Sequence, residues 1–199
     1  MITIRLLAAY DRVTAFLQRA ALDVLPLAAR LVFASVLLLY FWSSFATKIE
    51  PGLFGFLQVK PSAYYQIAMS AVEAAGGDVS AVPFWPIGLM VRIGTYAEFL
   101  LPLLIVLGLF TRIAAAGMIN FVAVQTFVDI TVHKVDAATI GSLFDRFPDA
   151  AISDQRLLWV LVLLVLVMLG AGSLSLDRLI RWRTERRLRP KKPEIVWAQ

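Results

Sequence analysis

Four long apolar stretches constrain this chain more than any other feature. They run at roughly residues 24–46, 87–110, 113–132 and 157–176. At 1.5 Å rise per residue a helix of this length reaches about 30 Å, the thickness of a bilayer's hydrocarbon core. Each stretch is mostly Leu, Val, Ile, Ala and Phe, and the last carries no charge from Leu157 to Leu176. Buried helices of soluble proteins are usually shorter and keep a polar face. Hydrocarbon offers free backbone groups no partner, so helices are the spanning form that fits these lengths. The expected fold is an all-α membrane protein, a four-transmembrane-helix bundle. Composition excludes the alternatives: 60% of the 199 residues are hydrophobic and only 17% are charged, against ~45–50% and about 25% in soluble domains. Disordered chains are poor in the same apolar and aromatic residues.

The first 22 residues lack the continuous apolar core and cleavage site of a secretory leader. They carry Arg5, Arg12 and Arg19 at seven-residue spacing, while Leu6, Tyr10, Val13, Leu17 and Ala20 face elsewhere. This pattern predicts an N-terminal amphipathic helix lying in the membrane interface, just before the first span. The other reading is an amphipathic helix packed on a partner.

Lysine and arginine set the orientation. One side would hold Arg5, Arg12, Arg19, Arg112, Arg178, Arg181, Arg183, Arg186, Arg187, Arg189, Lys191 and Lys192. The other, residues 47–86 and 133–156, holds Lys48, Lys60, Lys134, Arg146 and Arg156 among seven acidic residues. The positive-inside rule places both termini in the cytoplasm. Trp42, Trp85 and Trp159 fit the outer aromatic belt and Trp182 the inner one. The chain divides into one membrane domain over 1–180 and a basic cytoplasmic tail over 181–199. Despite the net charge of +5, the tail reads as a topology anchor on anionic lipid and not as a nucleic-acid arm. Residues 47–86 form a long outer loop punctuated by Pro and Gly, with a short helix over Ser62–Ala75; residues 133–156 form a second outer loop.

Ionisable groups inside spans are costly and seek partners. Glu98 sits mid-way along the second span, and Pro102, four residues on, removes the donor that the Glu98 carbonyl would use. A lone glutamate there would be protonated by desolvation, and carboxyl and carbonyl together form a candidate polar pocket or an interhelical tie. On the third span Gln125, Asp129 and His133 fall at i, i+4 and i+8, a ladder on one face. It can relay protons or hold a polar ligand, and an Arg92–Asp129 pair would neutralise both charges. Such a pair also serves as a plain tie between spans two and three. Arg30, in the inner half of span one, can snorkel to headgroups or reach Asp177, and Gly170 and Gly172 would let a helix approach closely. The absence of cysteine and the single histidine exclude disulfides, thiolate metal sites and multi-histidine sites, so no metal is expected.

These residues resemble the DoxX family of small bacterial four-helix membrane proteins. The first helix has Arg30, Ala34, Ser35 and Lys48; the second has Glu98 followed by Leu107-Gly108-Leu109-Phe110-Thr111-Arg112; the fourth ends Gly170-Ala171-Gly172-Ser173-Leu174-Ser175-Leu176-Asp177. The resemblance spans about residues 24–180. It implies family-motif roles for Arg30, Lys48, Pro102, Thr111, Arg112, Gly170, Gly172 and Asp177, and an inner-membrane location. Some members of the family are subunits of quinone-linked oxidoreductases, others are linked with oxidative or metal stress, and many have no assigned activity.

The leading functional expectation is a membrane subunit of a redox or stress-response complex near the quinone pool. Its polar pocket would comprise Glu98, Arg92, Gln125, Asp129 and His133, with quinone as the ligand. The catalytic residues, if any, are not named by the sequence. A non-enzymatic anchor for a partner protein is the second reading and a small transporter the third. Partners would be the bilayer and other subunits or a second copy, with no nucleic acid.

Overall fold

The computed structural model describes residues 2–188. Arg189, Lys191 and Lys192 of the basic tail lie outside them. Among the described residues the chain is helical, with no sheet and one isolated bridge between Ile49 and Val59. Four helices are long and apolar enough to cross a membrane: Ile4–Lys48, Phe84–Leu107, Thr111–Thr131 and Ala151–Leu169. They are spans one to four.

Span one contains its expected stretch, and spans two and three match theirs to within three residues at each end, but span one begins far earlier. The predicted interfacial helix and the first span form one uninterrupted helix of 45 residues, with Pro26 inside it. From Ile4 to Leu25 nearly every side chain is exposed, so this part of the helix stands clear of the bundle. Span two includes an irregular first turn, where Trp85 is extended (φ −105°, ψ 128°), so regular helix starts at Leu89.

Span four differs from the expectation over 157–176. It starts six residues earlier, at Ala151, and stops at Leu169. Gly170 and Gly172 both take left-handed φ, 81° and 75°, which glycine adopts without the Cβ penalty. They turn the chain into a separate helix, Leu176–Leu188, which crosses the expected boundary at residue 180. Leu174 and Leu176 keep the hydropathy high through this turn, so composition alone runs the span on.

The core lies between all four spans. Phe33, Leu37 and Phe41 come from span one and Ile105 from span two; Ala114, Ala115, Met118 and Val122 come from span three, Leu163 and Leu166 from span four. Alanines on span three keep that helix close to its neighbours. Large side chains such as Leu39, Ile93, Phe127 and Leu161 stay exposed on the outer faces, as suits helices bathed in lipid.

At the end where the loops lie, the first loop folds into two short helices, Pro61–Ile67 and Met69–Ala74, in place of the single helix expected over Ser62–Ala75, because the chain breaks from helical geometry at Ala68 (φ −135°, ψ 42°). Ala63 and Ala68 bury against Val91 and so cap the first half of span two. The opposite end, the terminal end, carries the first half of span one and the helix Leu176–Leu188.

Candidate functional site

At the terminal end the three motif segments meet in one clasp. Helices end with carbonyls that lack intrahelical donors. Arg30, buried, supplies such donors: its Nε bonds the Ile105 carbonyl at 3.1 Å, Nη2 that of Val106 at 2.6 Å, and Nη1 those of Ala171 and Leu174. It therefore closes the end of span two and the turn after span four together. Gly108, at φ 67°, lets this happen; a Cβ there would lie 2.7 Å from Ser175 Cβ and 2.9 Å from Arg30 Cζ. Asp177 does the complementary task at the start of span three, accepting from the Phe110 and Thr111 amides at 2.8 and 3.1 Å and from Thr111 Oγ1 at 2.9 Å. Negative charge belongs at a helix N-terminus. The expected reach of Arg30 to Asp177 is thus replaced by a shared network: among the described residues the two form no ion pair within 4.0 Å. Gly170 and Gly172 serve the turn itself, Gly170 beneath the Arg112 side chain and Gly172 against Pro26.

Glu98 is not lone. Lys48, the last residue of span one, reaches back and donates to both of its carboxylate oxygens at 2.9 and 3.0 Å, and to Ser44 Oγ at 2.7 Å. The two side chains are only 4% and 7% exposed. The premise that Glu98 has no partner does not hold: the Lys48 ammonium stands within hydrogen-bond distance of both its oxygens. Pro102 is buried one turn further along an unbroken helix, and Trp42 donates to the nearby Phe99 carbonyl.

The Arg92–Asp129 pair does not form. Asp129 pairs with Arg156 of span four, which also donates to Thr126 Oγ1 at 2.8 Å. Arg92 is exposed and lies over the Phe84 ring, 5.4 Å from its centroid. By sequence Arg156 belongs to the outer loop; the early start of span four lifts it onto a spanning helix and buries it. The ladder on span three also divides. Gln125 bonds Tyr40 Oη at 3.1 Å, Asp129 holds Arg156, and His133 leaves the face to meet the Gln66 carbonyl at 3.2 Å. Glu98 and Arg92 therefore stand apart from Gln125 and Asp129, and no single pocket among the described residues gathers all five.

Beside the Asp129–Arg156 pair a cleft of ≈ 530 Å³ runs between spans one and four. Tyr40, Gln155, Arg156 and Trp159 line its polar end, and Val32, Val36, Leu37, Leu158 and Val162 give aliphatic walls. From Val32 to Tyr40 is eight residues, about 12 Å of helix. The Tyr40 and Trp159 rings sit 5.4 Å apart at its mouth. The Gln125 Oε1 atom behind Tyr40 is buried without a partner, so one acceptor remains free in this cluster. Tyr40, Gln155 and Trp159 escape a sequence reading because an interfacial aromatic or amide on a span looks ordinary until its neighbours are known. Among the described residues no cluster of His, Asp or Glu can hold a metal ion.

No curated protein and no solved structure matches the chain. The family profile of DoxX matches residues 25–134, which include Arg30, Lys48, Glu98 and the Gly108–Arg112 turn. This protein is a member of the DoxX family.

Proposed function

We propose that this integral membrane protein is a subunit of a redox or stress-response complex in the bacterial cytoplasmic membrane, with both termini inside, and that it binds quinone in the cleft between spans one and four. The observation that carries the reading is the cleft's polarity along its length. A quinone has a ring with two carbonyl acceptors and a long isoprenoid tail, and it shuttles two electrons and two protons through the membrane. Tyr40 Oη, the Gln155 amide and the free edge of the Arg156 guanidinium are donors of the right kind for ring carbonyls. Trp159 offers a face for the ring, and the valines and leucines below match the tail. Asp129 holds Arg156 in place and neutralises it, so an uncharged ligand need not meet an isolated charge.

The test is extraction of purified protein with organic solvent, followed by titration of a short-chain quinone against tryptophan fluorescence. Co-purifying quinone and saturable quenching that weakens about tenfold in Arg156→Gln, a loss of ~1.4 kcal/mol, support the site. No quinone in the extract and unchanged fluorescence sink it.

A second reading, a membrane anchor for a partner protein, draws on the first helix. Ile4–Leu22 extends about 28 Å beyond the bundle, with Leu6, Tyr10, Val13, Phe16 and Leu17 all exposed. Removal of this segment would then release the partner and leave quinone binding intact.

A further inference from the structure

The loop Pro51–Leu57 carries four large apolar side chains into the open. Leu53 is 85% exposed, Phe54 70%, Phe56 47% and Leu57 59%. Its base is polar, with Glu50, Gln58 and Lys60. On a loop in water this arrangement would be unfavourable, since each such side chain is worth about 1.5–3 kcal/mol when removed from water.

The position of the loop identifies what covers it. Tyr96 Oη donates to the Phe56 carbonyl at 3.0 Å, so the loop is pinned to the flank of span two. Tyr96 lies eleven residues before Leu107, about 16 Å along the helix from the terminal end. A hydrocarbon core is ~30 Å thick, and side chains tilt towards the helix N-terminus, so the phenol and the loop it holds stand in the half of the membrane nearer the loop end. The loop also satisfies part of its own backbone. Glu50 N donates to Gln58 O, Gly55 N to Gly52 O, Leu57 N to Phe54 O and Gln58 N to Gly55 O, all within 3.1 Å. Gly55 makes the fold-back possible, because a Cβ there would stand 2.0 Å from the Glu50 carbonyl oxygen. Partial satisfaction suits the boundary between headgroups and acyl chains, where water still reaches open backbone groups, and not the bilayer centre.

We propose that Pro51–Leu57 is a lipid-immersed loop whose Leu53, Phe54, Phe56 and Leu57 side chains enter the acyl chains of the leaflet at the loop end. It anchors the Lys48 end of span one independently of any ligand in the cleft.

The chain has no cysteine, so single nitroxide labels can be placed at Leu53→Cys and Phe54→Cys in the full protein in liposomes. Leu161→Cys, on the exposed face of span four, gives the lipid reference, and Glu73→Cys, on the short helix Met69–Ala74, gives the aqueous one. Accessibility is read with oxygen, which concentrates in lipid, and with a water-soluble nickel chelate. Labels at 53 and 54 should favour oxygen over nickel several-fold more than the label at 73, and approach the value at 161. Nickel access equal to that at 73 overturns the proposal. So does protection from both reagents, which would mean that a second copy or another protein covers the loop.

Discussion

Lys48 closes span one by donating to both carboxylate oxygens of Glu98, 50 residues further along the chain, inside a shell that leaves neither side chain more than 7% exposed. Ser44, one turn below on span one, takes a further lysine N–H. The pair joins the end of span one to the middle of span two at a depth where water cannot take over if either member is lost.

Removing one member should therefore cost more than removing both. Glu98→Leu leaves the ammonium with Ser44 alone, and Lys48→Met leaves a buried carboxyl group without its lysine; each should destabilise the protein by about 3–5 kcal/mol. The double variant Lys48→Met/Glu98→Leu should recover most of this loss. Thermal unfolding of the four proteins in one detergent completes the cycle; equal and additive losses would show that the pair contributes nothing as a pair.

Gly108→Ala should be among the most damaging single changes at the terminal end. The added methyl meets Ser175 and Arg30 below 3 Å and the residue must hold φ 67°. Strain of about 1–3 kcal/mol is expected from the backbone conformation alone, with the displaced Arg30 bonds in addition. Asp177→Ala should cost about 1.5–3 kcal/mol, the value of hydrogen bonds to a charged acceptor. Melting temperatures report both.

Tyr40→Phe separates the cleft's donors from its packing. It keeps the ring against Trp159 and Phe41 but loses the hydroxyl that accepts from Gln125. Stability should fall by about 1 kcal/mol, while quinone affinity, read from tryptophan quenching, should fall several-fold. Unchanged affinity would remove Tyr40 from the head-group site.

Asp136 caps the one-turn helix Ala137–Ile140 by accepting from the Thr139 backbone amide at 2.9 Å and from its hydroxyl at 2.8 Å. These bonds, the backbone amide first, hold its carboxyl below the ordinary aspartate value. A depressed folded-state pKa contributes stability that is present above the unfolded value, about 3.9, and is lost as pH falls through the folded one. Hydrogen exchange at the Thr139 amide should be flat near neutrality once corrected for intrinsic rates, and protection should drop only below about pH 4. Asp136→Ala should remove the protection at every pH.

The number of spans can be read directly from hydropathy, because about twenty apolar residues in helical form match a bilayer whatever their neighbours. The helical stretch of the first loop is legible from its punctuation by Pro61 and by Gly76 and Gly77, but its break into two helices at Ala68 is not. Span ends are less legible. Leu174 and Leu176 belong to a turn and a new helix start, yet they extend the apolar run, so the stop at Leu169 rests on backbone angles at Gly170 and Gly172 that hydropathy does not weigh. At the other end of the same span, the polar residues before Leu157 read as loop, which hides Arg156 and leaves Asp129 without its true partner.

From residues alone, then, came the lipid environment, the four crossings and the sites where charge inside a span demanded a partner. Which partner answered was decided in three dimensions. Arg30 closes carbonyls 75 and 144 positions away, and Glu98 meets Lys48 while Arg92 turns to Phe84. Each pairing depends on how helices rotate and tilt about one another. Those choices are set by the packing of Phe33, Phe41, Met118 and Leu163 in the shared core, and hydrophobic periodicity within one helix leaves them open.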